Sequence, residues 1–120
     1  MRIAICDDLK ADRMDAVDAL GGVIKNFSVN EFESGEELLK SHAAYPFDLI
    51  ILDILMPKLS GMETAARLRL TDVKTPIVFM STSDEFGVQS YSVLAFDYLL
   101  KPISYVDFVA SVNRAQKWYD

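Results

Sequence analysis

Five polar residues stand where they could do chemistry together: Asp7 and Asp8 in "CDD", Asp53 in "LIILD", Ser81 closing "PIVFMS", and Lys101 in "LLKP". Each ends or directly follows an apolar run of strand length. A carboxylate held inside a core is costly unless it is paired, but at the open end of a strand it can be a working group. Three carboxylates in one crevice repel one another, and some take up protons unless something compensates. One compensation is a hard divalent cation, Mg²⁺ foremost, which takes oxygen ligands in octahedral geometry and keeps several waters. The other is the ammonium of Lys101. A cation, a lysine, a hydroxyl and one accessible carboxylate are the apparatus of phosphoryl transfer. The carboxylate attacks phosphorus, and the cations stabilise charge on the equatorial oxygens.

The elements that must position these groups are legible as a pattern. "RIAIC", "FDLIIL", "TPIVFM" and "FDYLL" are apolar at consecutive positions, which suits strands buried on both faces of a parallel sheet. "FSVNEF" alternates more and reads as a less buried edge strand. Helical patterns fill the gaps. Met14, Val17 and Leu20 form an apolar stripe, and Gly21-Gly22 lies where that helix weakens or stops. Ser34 with Glu37, and Ser60 with Glu63, fit the S-x-x-E capping box. Ser104 is placed to cap a last helix carrying Val106, Val109 and Val112, while residues 84–92, with Gly87 and two serines, make the weakest helix.

The pattern is β-α repeated five times, which implies a parallel sheet with helices on both faces. A barrel of about eight such units would need roughly twice this length. Residues 1–120 therefore read as a single α/β doubly wound domain. In such sheets, sites form beyond the carboxyl ends of the strands, where strand order reverses. Under the flavodoxin-like order 2-1-3-4-5, which the pattern admits rather than dictates, that point lies between the first and third strands. Asp7, Asp8 and Asp53 meet there.

Composition narrows the function. Twelve Lys and Arg against eighteen Asp and Glu give a net charge of −6, which argues against a direct grip on nucleic acid or an anionic membrane. The one cysteine, Cys6, allows no intrachain disulfide, fits a reducing compartment, and reads as a small core residue. No apolar run approaches the ~18 residues of a membrane span, and "MRIAICDD" is no signal peptide. A cytoplasmic protein is the default expectation. His42, the only histidine, lies far in sequence from the acidic motifs and reads as a surface residue, neither metal ligand nor phosphodonor.

Taken as a set, "CDD", "LIILDILMPKLSG", the Ser81 that ends "PIVFMS", and "FDYLLKP" resemble the receiver domain of two-component response regulators over almost the whole chain. "SVLAFDYLLKPI" further resembles the receivers of LytTR-type transcriptional regulators. The resemblance implies that Asp53 accepts a phosphoryl group from a sensor histidine kinase. It implies that Asp8 and Asp53 ligate Mg²⁺ directly, that Asp7 acts partly through water, and that the Leu55 carbonyl adds a ligand. Lys101 would pair with the phosphoryl group, Ser81 would donate to one of its oxygens, and Tyr98 would be the switching aromatic. A cis bond at Lys101-Pro102 is implied as well. So are homodimerisation through the face of the fourth helix, fifth strand and fifth helix, and a C-terminal DNA-binding domain outside this chain. The family is a signalling module rather than an enzyme. Thr82 departs from the small residue usual at its position, and its bulk is expected to hinder attacking water and prolong the phosphorylated state.

Plainer readings stand beside these. Asp8 could cap the first helix, Asp7 could be a solvated turn residue, and Lys101 alone could be a surface lysine. Tyr98 could be core only, and Trp118 and Tyr119 could pack the chain's end or meet a further domain. A haloacid-dehalogenase-type phosphohydrolase also uses a strand-end aspartate, Mg²⁺ and a lysine, but it needs a second acid two residues on, where Leu55 stands. A pseudo-receiver that only binds partners would not need the acids, nucleophile and lysine that are all present. No G-x-G-x-x-G or Walker lysine motif supports nucleotide binding.

Overall fold

The computed structural model describes residues 1–118. The chain alternates β1 (Arg2–Cys6), α1 (Lys10–Gly21), β2 (Ser28–Phe32), α2 (Gly35–Ala44), β3 (Leu49–Asp53), α3 (Gly61–Leu68), β4 (Ile77–Ser81), α4 (Gly87–Ser92), β5 (Asp97–Leu100) and α5 (Tyr105–Lys117). All strand pairs are parallel and the sheet order is β2-β1-β3-β4-β5, the flavodoxin-like arrangement.

Consecutive apolar residues are needed because each inner strand feeds two cores. Ile3, Ile5, Leu49, Ile51, Val78 and Met80 face one cluster with Ala16 and Leu20 of α1 and Phe108 and Val112 of α5. Ala4, Cys6, Ile50, Leu52, Ile77 and Phe79 face the other, with Leu38 of α2 and Ala65 and Leu68 of α3. The edge strand β2 has no fully buried residue, in keeping with its alternation.

Helix boundaries follow their caps. Ser60 and Glu63 form a complete reciprocal capping box at α3, whereas Ser34 and Ser104 each accept one backbone N–H, from Glu37 and Asp107. α1 ends at Gly21 with Gly22 as its C-cap.

Three expectations are corrected. Met14 is 53% exposed, and the buried face of α1 is Arg13, Ala16 and Leu20. A charged residue lies inside because the Arg13 guanidinium donates to the Asp7 carbonyl at 2.8 Å and pairs with Glu31 at 3.2 Å. On α5, Val106 is exposed, and the inward residues are Phe108, Ser111, Val112 and Ala115. His42 is buried, not superficial. Its Nδ1 accepts from the Phe47 N–H at 3.1 Å, so Nε2 carries the proton donated to Asp72 at 2.7 Å. Burial alone would push the Asp72 carboxyl up, but the Thr75 hydroxyl and N–H, His42 and the Lys74 N–H together hold it well below the usual carboxylate range.

Candidate functional site

Strand register brings the candidate residues together. Cys6 pairs with Leu52, so Asp7 and Asp53, the next residue on each strand, emerge side by side. Asp53 pairs with Met80 and Ser81 with Leu100, so Ser81 and then Lys101 follow in steps along the same edge. The Lys101 N–H donates to the Ser81 carbonyl at 2.7 Å, extending the ladder one residue past β5. The Lys101-Pro102 bond is cis.

Asp7, Asp8 and Asp53 converge, each offering a carboxylate oxygen within 4.8 Å of the other two. Asp7 is fully buried, Asp53 is 3% exposed, and Asp8 is half-buried. Asp8 does not cap α1. Its N-cap is Leu9, whose N–H donates to Oδ1 of Asp7 at 3.0 Å. Asp7 Oδ2 accepts from the Lys101 ammonium at 2.8 Å, and Lys101 lies 3.4 Å from Asp53 Oδ1.

Electrostatics follow from this crowding. Burial, then the neighbouring charge of Asp7, raises the Asp53 pKa to about 6 against the opposing pull of Lys101. Burial would lower the Lys101 pKa, but hydrogen bonds to Asp12 and Asp7 and the charge of Asp53 more than offset this and raise it. Burial, then the charges of Asp7, Asp53 and Glu37, push the Cys6 thiol up to about 12, so it is an inert core residue. Three hard oxygen donors of like charge, with the proton affinity of Asp53 raised, are a donor set that suits a divalent oxygen-loving cation such as Mg²⁺.

Ser81 is buried at the end of β4, with its Oγ accepting from the Ser83 N–H at 3.1 Å. Tyr98 is half-buried on β5. Its hydroxyl donates to the Ser83 carbonyl and its ring tilts against Phe79. Thr82, between these residues, is exposed. Leu55 is exposed in the loop after β3. That loop is shaped by Lys58, in the left-handed region at φ 63°, and by the Gly61 N–H donating to the Ile54 carbonyl at 2.8 Å.

Asp12 was not among the expected site residues, yet its Oδ2 accepts from Lys101 at 2.7 Å. The available signal was its place four residues after Asp8, in the first turn of the helix that follows the acidic pair. Trp118 is exposed, with its ring edge against Phe96, and Tyr119 lies outside the described residues.

The profile of the response regulator receiver domain matches residues 3–113. The chain belongs to that family. The sensory transduction protein LytT of Oceanobacillus iheyensis is 38% identical over 87 residues, 71% of this chain and 35% of that protein. The positive alginate biosynthesis regulatory protein of Pseudomonas aeruginosa is 31% identical over 98% of this chain and 48% of its own. This receiver thus spans half or less of the length of these relatives. Among solved structures, the response regulatory domain of protein mrkE from Klebsiella pneumoniae superposes with a TM-score of 0.90 at 25% identity, covering 99% of this chain and 98% of that one. The Vibrio cholerae chemotaxis protein CheY4 gives 0.84 at 25% identity, covering 95% and 97%. Among the described residues, no helix of this receiver is long and apolar enough to cross a membrane.

Proposed function

We propose that this receiver takes a phosphoryl group onto Asp53 from the phosphohistidine of a sensor histidine kinase, in a Mg²⁺-dependent reaction, and so controls an attached output. The observation that carries this reading is the convergence of Asp7, Asp8 and Asp53 around one carboxylate that Lys101 approaches to 3.4 Å. An Asp53 oxygen forms the new P–O bond while the donor P–N bond breaks, leaving its electron pair on the imidazole nitrogen. Lys101, charged throughout the neutral range, screens the nucleophile and the arriving oxygens. Ser81 turns its hydroxyl from the Ser83 N–H to a phosphoryl oxygen, and that movement reaches Tyr98 through the Ser83 carbonyl. Asp7, Asp8 and Asp53, with the Leu55 carbonyl, are the residues that would hold Mg²⁺. When bound, the cation neutralises charge on the phosphoryl oxygens.

Residues 1–120 act as one receiver domain, and relatives about twice its length or more support an output, a DNA-binding domain by likeness to LytTR-type regulators, carried outside it. The exposed side chains of Val88 and Tyr91 on α4, Leu100 on β5 and Val106 on α5 support homodimerisation through that face. Net charge −6 speaks against nucleic-acid contact by the receiver itself, and the inert Cys6 suits a cytoplasmic setting.

The test is acetyl phosphate treatment with and without Mg²⁺, read by intact-protein mass spectrometry. One phosphoryl group should add only with Mg²⁺ and not to Asp53→Asn. An equal adduct on that variant would reject Asp53 as the acceptor.

A further inference from the structure

Lys101 is shared among three carboxylates, and the one it holds most closely is neither the nucleophile nor a candidate metal ligand. The ammonium lies 2.7 Å from Asp12 Oδ2, 2.8 Å from Asp7 Oδ2 and 3.4 Å from Asp53 Oδ1. The contacts to Asp12 and Asp7 are short hydrogen bonds, and the one to Asp53 is the longest of the three. Asp12 stands outside the Asp7–Asp8–Asp53 cluster, on α1, at the rim of a cavity of about 320 Å³ between α1 and α5 that Lys101 and Tyr105 also line. Its side chain keeps 31% exposure, so it can swing into solvent, whereas the Asp7 side chain is enclosed.

Two of the three donors of the ammonium are taken, by Asp12 and Asp7. A phosphoryl group on Asp53 would bring strong acceptors and roughly −1.5 to −2 charges, and for the ammonium to close on them it moves off the mobile partner, Asp12, rather than the enclosed Asp7. We propose that Asp12 is a positioning residue that latches Lys101 in the unphosphorylated state, holding its ammonium at the longer 3.4 Å ion-pair distance from Asp53 until phosphoryl oxygens draw it off Asp12. The latch sets the affinity of the site for the phosphoryl group from a residue that does not touch it. This rests on the phosphoryl-acceptor reading of Asp53.

Two effects of removing the latch have opposite signs, which separates it from a general disturbance of the fold. With Asp12→Asn, Lys101 is free to move toward Asp53, so a phosphoryl-like anion binds more tightly. The same change removes one negative charge and brings a positive one nearer the acids, so Mg²⁺ alone binds more weakly. The experiment measures Mg²⁺ dissociation by titration, and beryllofluoride dissociation at saturating Mg²⁺ by fluorine NMR. Asp12→Asn should bind beryllofluoride about threefold to fivefold more tightly and Mg²⁺ more weakly by a similar factor. Asp12→Glu should stay near wild type. In a Lys101→Ala background, Asp12→Asn should no longer tighten beryllofluoride.

Weakening of both ligands, or no change in beryllofluoride affinity, would overturn the latch while leaving Asp53 as acceptor. Tightening that persists without Lys101 would reduce Asp12 to plain repulsion and also overturn it. If wild type itself failed to bind beryllofluoride with Mg²⁺, the acceptor reading would fall and the latch with it. Circular dichroism checks that each variant is folded, and Asp12→Ser replaces Asp12→Asn if that variant is not.

Discussion

Asp53 is where fold and chemistry oppose each other. Its carboxyl is buried beside Asp7, and its pKa of about 6 means that the folded state holds the proton more tightly than an ordinary Asp at 3.8. For a carboxyl raised on folding, stability is lost as pH rises from the unfolded value through the folded one. In EDTA, wild type should therefore lose stability between about pH 4 and pH 6 relative to Asp53→Asn. At pH 7.5 the variant should be more stable, on the order of 1–3 kcal/mol. Urea unfolding at pH 4 and pH 7.5 measures this, and a variant less stable at pH 7.5 would contradict the strained-carboxylate account. Thr82 gives a second prediction at this scale. Its side chain is exposed next to Ser81, and the expectation is that its bulk hinders attacking water. Thr82→Ala should shorten the lifetime of phosphorylated Asp53 several-fold, by loss of radiolabelled phosphate, and an unchanged rate would dismiss the shielding role.

Among the elements, the β3–α3 junction fixes Asp53. A Cβ at Gly61 would press into the backbone of Asp53 and Ile54, coming within 2.7 Å of Ile54 Cα. Backbone on both sides cannot give way cheaply, so Gly61→Ala should cost about 1–3 kcal/mol and weaken Mg²⁺ binding as well. Thermal unfolding and Mg²⁺ titration check this, and a variant unchanged in both would show that the close approach is not required. Such junctions were legible in "LDILMPKLSG" because parallel strands end in register, so the residue after each apolar run has a known neighbour. Helix faces were harder to read. The outward turn of Met14 and the inward turn of Arg13 depend on where the Asp7 carbonyl and Glu31 lie, partners that periodicity does not contain. His42 is buried because Phe47 and Asp72 satisfy both its ring nitrogens, and Asp72 is 30 residues away in sequence. Asp12 escaped notice for the same reason, since its partner Lys101 lies 89 residues on.

Across the whole molecule, a change at the acidic edge has a physical route to one side surface. The loop after β4 bonds through its Ser83 N–H to Ser81 and through its Ser83 carbonyl to Tyr98. The loop leads into α4, six residues long, whose N-cap Phe86 supplies no side-chain bond. Ser90 and Ser92 in α4 direct their hydroxyls to the carbonyls of Gly87 and Gln89, which competes with a regular ladder. A short helix of this kind belongs to the easily rearranged end of a fold's local stabilities. It also carries Val88 and Tyr91, 83% and 81% exposed, and Leu100 of β5 and Val106 of α5 are exposed as well. Under the proposed phosphorylation, drawing the Ser81 hydroxyl toward the phosphoryl group would free the Ser83 N–H and let the loop, Tyr98 and α4 settle anew, altering how these apolar side chains are presented. Beryllofluoride with Mg²⁺ should therefore promote dimerisation in sedimentation velocity. Tyr91→Glu should weaken that association about tenfold or more, without changing beryllofluoride affinity per protomer beyond the coupling to dimerisation. Dimers that form equally with Tyr91→Glu and Val106→Glu would place the interface on another face and break the link from Ser81 to α4.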